Sequence, residues 1–263
     1  MDLGIKGRVA LVTASTKGIG YKTAELLALE GATVCICSRD SQHLKEAQEQ
    51  IYQSTGQRPA AYAADMTKAE DIQKLVDSVL GDFGRIDILV VNAGGPPAGD
   101  FFDFSDEDWY RAFETNFMSG VRLTRLVAPL MLKQNWGRIV YITSTSVKQP
   151  IENLVLSNAV RAAAANLAKS QALAWADRNV LVNTVGPGLT ATDRIMSLNR
   201  AEAEKKGVSL DALLKEKASA IPIGRLARSE EVASLIVFLC SEQASYMTGS
   251  HITVDGGLVK GNH

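Results

Sequence analysis

The stretch Arg8 to Gly20, RVALVTASTKGIG, decides the fold. Val9, Leu11 and Val12 form an apolar β-type run, which turns polar, ends in Gly18-Ile19-Gly20 and re-enters an apolar pattern. That is a strand, a loop and a helix start. Gly18 and Gly20 allow backbone close to a ligand and tight packing of helix on strand. The first turn of such a helix has unpaired N–H groups and the positive end of a dipole, so a pyrophosphate is held there without a dedicated cation. Alone, the glycine pattern is a weak signal, since an ordinary strand-to-helix turn is the lesser alternative.

The residues downstream favour the phosphate loop. Ile19, Thr23, Leu26, Leu27 and Glu30 recur at helical spacing, and Gly31 stands where a C-terminal cap belongs. Thr33 to Ser38, TVCICS, predicts a second strand, Leu44, Ala47 and Ile51 a helix, and Ala60 to Ala64 a third strand closing on Asp65-Met66. Ile72, Leu75, Val76, Val79 and Leu80 share one helical face. Ile86 to Val91, IDILVV, is apolar at nearly every residue, as a parallel strand covered on both faces requires, and stops at Asn92-Ala93-Gly94-Gly95. Sustained βαβαβ alternation predicts an α/β protein with a doubly wound parallel sheet.

The 263 residues contain no Pro/Gly/Ser-rich linker or charge run, so a single domain over 1–263 is expected. With 46% hydrophobic and 22% charged residues and a formal net charge of -1, the composition is that of a soluble globular protein. No long basic block points to nucleic acid, and no apolar run approaches the ~20 residues of a membrane span. The N-terminal MDLGIKGR lacks a signal-peptide core, which makes a cytoplasmic location the default expectation. Cys35, Cys37 and Cys240 lack zinc spacing, and the histidines are His43, His251 and His263. Neither disulfides nor a metal centre is expected, and Cys35 and Cys37 read as small core residues on one strand face.

Ser38-Arg39 falls where an open α/β fold places the residue that reads the adenosine ribose. An acid there suits NAD. An arginine after a serine, with Lys17 in the phosphate loop, suits the 2′-phosphate of NADP through charge-assisted contacts. The alternative is a surface charge beside Asp40.

Taken together, Thr13 to Gly20, Asp65, Asn92-Ala93-Gly94, Asn116 in ETNFMSG, Ser144 after GRIVYIT, Pro187-Gly188 with Thr190 and Thr192, and Asp255-Gly256-Gly257 resemble the short-chain dehydrogenase/reductase family. Within it, the chain is similar to the 3-oxoacyl-[acyl-carrier-protein] reductases. The resemblance implies a Rossmann-type sheet of about seven strands with helices on both faces. It also implies cofactor contacts from Ala14, Ser15, Lys17, Gly18, Ile19, Gly20, Arg39, Asp65, Met66, Asn92, Ala93, Gly94, Arg161, Pro187, Gly188, Thr190 and Thr192. Ala14 replaces the first glycine of the family's loop. Asn116, in a helix broken near that point between Ser105 and Leu132, is implied to hold a water of the proton relay; Ser144 is implied to donate to the substrate oxygen.

One departure bears on catalysis. The family carries a tyrosine and a lysine, YxxxK, where this chain has Ser157-Asn158-Ala159-Val160-Arg161. The serine hydroxyl is shorter and much less acidic than a phenol, and an arginine does not shuttle protons. Losing a general acid typically forfeits ~10²- to 10⁴-fold in rate, while hydride donor and acceptor can still be positioned. Tyr141 lies nearby in sequence, but strand alternation puts it on the face opposite Ser144.

Asp193 to Ile221 is the longest excursion between core elements, with Ile195, Met196, Leu198, Val208, Leu210, Leu213 and Leu214 giving an apolar face. One or two short helices are expected there, a lid over residues 189–222 that suggests a largely apolar substrate. Glu202, Glu204, Lys205 and Lys206 read as a solvated face. In relatives the helices around Asn116 and Ala159 to Ala176 build a dimer, usually within a tetramer. Two functions remain open: an NADP(H)-dependent oxidoreductase acting on a small carbonyl or secondary alcohol, with Asn116, Ser144, Ser157 and Arg161 as its catalytic set, or a non-catalytic NADP-binding sensor or partner subunit.

Overall fold

The computed structural model describes residues 1–261; His263 lies outside them. Its frame is a seven-stranded parallel sheet in the order β3-β2-β1-β4-β5-β6-β7. The strands are β1 Val9–Val12, β2 Thr33–Ser38, β3 Ala60–Ala63, β4 Ile88–Val91, β5 Gly137–Ile142, β6 Val180–Pro187 and β7 His251–Val254. The order doubles back after β3, so β1 and β4 are neighbours although two strands separate them in the chain. That reversal opens a crevice beyond their carboxyl ends.

Alternate side chains of the central strands enter opposite layers, which is why those strands read as continuous apolar runs. Ala10, Val12, Ile36, Val90 and Val140 pack under α1 (Gly18–Leu29), α2 (Ser41–Thr55) and α9 (Ser229–Leu239). Leu11, Cys35, Cys37, Leu89, Ile139 and Tyr141 pack under α3 (Ala69–Phe83), α5 (Ser119–Gln134) and α6 (Val155–Trp175). Cys35 and Cys37 are thus buried thiols in one layer, pushed up to about 12 by desolvation. The remaining helices are α4 (Asp106–Phe113), α7 (Asp193–Lys206) and α8 (Leu210–Ser219).

Two expectations need correction. The helix through Asn116 is not broken: α4 continues into α5 through one π turn, Glu114–Met118, whose extra residue re-aims side chains without ending the helix. The acids and bases of the 189–222 segment are not all a solvated face. Glu202 pairs with Lys206 at 2.8 Å and Lys217 at 2.5 Å, and Lys217 also donates to Asn199 Oδ1 at 2.7 Å, which pins α8 to α7. No helix among the described residues is long and apolar enough to cross a membrane, and no group of three or more potential metal ligands occurs among them.

Candidate functional site

At the carboxyl end of β1 the chain turns through Ala14 with φ +46°, in the left-handed region. A non-glycine residue there costs roughly 1–2 kcal/mol. Gly20 has no such freedom to spare for a side chain: a Cβ would lie 2.6 Å from Asn92 Nδ2 and 2.8 Å from the Ala14 carbonyl. That closeness is used, since Asn92 Nδ2 donates to Ala14 O at 3.0 Å. The Asn92 N–H also donates to Thr13 Oγ1 at 2.8 Å, and that hydroxyl donates to Asn92 O at 2.7 Å. The loops after β1 and β4 are thereby one unit. Ser15 is turned inward, its hydroxyl donating to Val12 O and accepting from Cys37 N–H while its own N–H donates to Cys37 O, so its side chain is committed to holding the loop against β2.

The start of α1 suits an anion. Lys17 gives it no side-chain cap and its first turn holds no acid, so the N–H groups at Gly18, Ile19 and Gly20 keep their free donors and the dipole its positive end. Ile19 itself packs against the core. At the end of β2, Asp40 caps α2, accepting from Gln42 N–H at 3.0 Å and His43 N–H at 2.9 Å; the latter chiefly holds its carboxyl below the usual range. His43 Nδ1 lies 3.1 Å from Asp40 and its Nε2 3.3 Å from Lys17 Nζ. The acid nearest the ribose position is therefore committed to a helix cap. Lys17, Gly18, Tyr21, His43 and Gln50 line a cleft of about 280 Å³ there. Arg39 faces Asp65, whose carboxyl is lowered mainly by the Thr67 N–H and further by Arg39. The Met66 side chain is buried in the core, which leaves its backbone.

At the other end of the crevice, Asn116 is 5% exposed; its Nδ2 donates to Ala112 O at 3.2 Å, while its Oδ1 has no partner. A buried acceptor left open in this way fits a bound water or hydroxyl. The π turn that carries it packs against α6. Ser144 follows β5 and its Oγ accepts from Ser146 N–H at 3.1 Å, leaving its own proton to donate. Ser157 and Arg161 sit one helical turn apart on the buried side of α6, 9% and 8% exposed. Arg161 Nη1 donates to Ile142 O at 2.7 Å and Nη2 to Ala93 O at 3.3 Å. Burial and, secondarily, Arg194 bring its pKa down to about 10. Tyr141 does not replace the missing phenol: it is buried under α5 and α6, its hydroxyl donating at 2.9 Å to Oε1 of Gln171, further along α6 than Arg161.

The Pro187-Gly188 turn packs on Asp255, where a Cβ on Gly188 would meet the Asp255 Cα at 2.8 Å. Thr190 is buried, its Oγ1 donating to Gly188 O at 3.2 Å. Thr192 caps α7 and its methyl faces Gly18, so α7 begins against the glycine loop after β1. Sequence reasoning missed the next contact. Arg194, in the first turn of α7, keeps access to solvent while its guanidinium lies over Gly95 and donates to Pro96 O at 2.5 Å. The available signal was a cation two residues beyond Thr192. His43 beside Lys17 was missed as well, because the two are 26 residues apart.

Residues 13–259 match the family model described as enoyl-(acyl carrier protein) reductase. The chain is 36% identical over 258 residues to the 3-oxoacyl-[acyl-carrier-protein] reductase of Aquifex aeolicus, covering 98% of this chain and 100% of that protein. L-sorbose reductase from Gluconobacter frateurii, solved with NADPH and L-sorbose, superposes with a TM-score of 0.95 at 35% identity, covering 99% and 100% of the two chains. An NADPH-bound short chain oxidoreductase from Pseudomonas aeruginosa, described as containing an atypical catalytic center, superposes with a TM-score of 0.87 at 33% identity over 97% of each chain.

Proposed function

Because the chain belongs to the short-chain dehydrogenase/reductase family, we propose that it is an NADP(H)-dependent oxidoreductase acting on a carbonyl or secondary alcohol through a site without the usual tyrosine and lysine. The observation that carries this reading is the retention of a buried cation, Arg161, bonded to Ala93 O beside the Asn92 loop, with Asn116 Oδ1 left open nearby in the fold. The other buried guanidinium, Arg138, is paired with Glu242, whereas Arg161 has no acidic partner among the described residues, which leaves its charge for a ligand.

NADP(H), when bound, supplies the hydride. The free N–H groups at the start of α1 take the pyrophosphate, and Lys17 and Arg39 take the 2′-phosphate, with Lys17 positioned by His43. Asp65 and the Met66 backbone meet the adenine, and Thr190 and Thr192 flank the nicotinamide side. Ser144 donates to the substrate oxygen. Arg161, with two of its five N–H groups on carbonyls, keeps donors for the nicotinamide ribose and stabilises negative charge on that oxygen. Ser157 Oγ and Asn116 Oδ1 hold the water that delivers the proton. Residues 189–222 cover a largely apolar substrate, and the protein acts as a homodimer or homotetramer in the cytoplasm.

A non-catalytic NADP-binding sensor or partner subunit is the second reading, favoured by the Tyr141 hydroxyl being committed to Gln171. Titration with NADPH and NADH, followed by nicotinamide absorbance with ketones, quinones and 3-oxoacyl thioesters, separates them. Tighter NADPH binding with turnover supports the oxidoreductase; tight binding without turnover of any carbonyl supports the sensor. Tighter NADH binding overturns the roles of Lys17 and Arg39.

A further inference from the structure

Two guanidinium groups flank the loop that follows β4, and neither has an acidic partner among the described residues. Arg161 lies beneath, bonded to Ala93 O, and Arg194 lies above, bonded to Pro96 O and resting on Gly95. Their like charges repel, which adds to burial in lowering the pKa of Arg161. Desolvation lowers the pKa of Arg194 as well. Like charges brought together in a crevice and left without a counter-charge make a site for an anion. Arg194 has one N–H donor engaged, so an edge of its guanidinium remains for a planar, two-oxygen acceptor.

The pyrophosphate is not that acceptor. The lid meets the phosphate loop through Thr192, whose methyl faces Gly18, whereas Arg194 is turned to Gly95 and Pro96, beyond the Asn92-Ala93-Gly94 segment. We propose that Arg194, over the field of Arg161, forms a carboxylate-recognition subsite, so that the substrate is a carbonyl or hydroxy compound with a carboxylate on an otherwise apolar body. This substrate class rests on the oxidoreductase reading; the anion subsite does not.

The test titrates the NADPH-loaded protein with pentanoate and pentanamide by calorimetry, and measures turnover of 4-oxopentanoate and its methyl ester. Pentanoate is expected to bind at least tenfold more tightly than the amide. Arg194→Gln is expected to remove that preference and raise KM for the acid at least tenfold, leaving KM for the ester and NADPH affinity within twofold. Arg194→Lys, which keeps the charge, is expected to restore part of the preference, and thermal melts of both variants show that the fold is kept. Equal binding of acid and amide, or a tenfold loss of NADPH affinity in Arg194→Gln, overturns the subsite. Arg194-dependent pentanoate binding with no carbonyl turned over keeps the subsite and overturns the oxidoreductase reading. Turnover of acid and ester alike, unchanged in Arg194→Gln, does the reverse.

Discussion

Replacing Arg161 by methionine separates a cation kept for chemistry from one kept for the fold. Bringing the guanidinium from its ordinary range down to about 10 disfavours its charge in the native state by about 3 kcal/mol. The folded pKa lies below the unfolded one, so this penalty is present in full at every pH below about 10 and is relieved only as pH rises past it. Methionine removes the penalty but leaves the carbonyls of Ile142 and Ala93 without their donor. Two charge-assisted hydrogen bonds are worth about 3–6 kcal/mol together, so the net loss is about 0–3 kcal/mol, within the margin of a protein stable by about 5–15. Urea unfolding of Arg161→Met at pH 7.5 is therefore expected to give a folded protein with an unchanged m-value, while kcat/KM falls at least a hundredfold. A loss above about 5 kcal/mol with kcat/KM per folded molecule intact would refute the reasoning and make Arg161 a strut.

Three further outcomes are expected. The double variant Ser157→Tyr/Arg161→Lys supplies a phenol and a lysine, and kcat is expected to rise by about 10²-fold; an unchanged kcat in a folded variant means that proton delivery does not limit the rate. Ala14→Gly relieves the residue with φ +46° and is expected to add up to about 1 kcal/mol to the unfolding free energy after the added freedom of the unfolded chain, read as a higher urea midpoint; a lower midpoint contradicts this. His251 is held neutral to about pH 4, first by burial and then by Lys148, with its Nδ1 on Thr184 Oγ1 at 2.8 Å. Its folded pKa is depressed, so stability present above its ordinary value falls as pH drops from about 6.5 toward 4; screening at this partly open site limits the loss to about 1–2 kcal/mol. Urea midpoints across that range should fall less steeply in His251→Gln, and parallel curves would assign the loss to other groups.

The sheet was legible because each central strand feeds two layers: a run such as ILVV at 88–91 has no polar residue to give either face to water. Cysteines at 35 and 37 fell into one layer for the same reason, the period of two. The π turn at Asn116 was not legible, because an extra residue in a helix changes no residue type, only the rise between the apolar positions on either side. Ser157 and Arg161 were found by their place in the family's motif, but the direction of the Arg161 side chain, toward two main-chain carbonyls, depends on β5 and the β4 loop lying under α6. Arg194 escaped because its neighbours in sequence, Thr192 and the apolar lid residues, say nothing of a loop 98 residues away. Residues 189–222 were therefore read as apolar, and the contact of Arg194 with the loop after β4 came only from the fold.

Hydride transfer at a site without the family's tyrosine, as proposed for this chain, is open to a direct test. Nicotinamide-deuterated NADPH, incubated with the protein and a panel of carbonyl compounds that includes oxo acids, tests it by mass spectrometry of the alcohols formed. The account predicts one deuterium per product molecule and its loss in Arg161→Met. Tight binding of the labelled cofactor, with no deuterium reaching any alcohol in the panel, would contradict it and leave a nucleotide-binding protein that does not turn over.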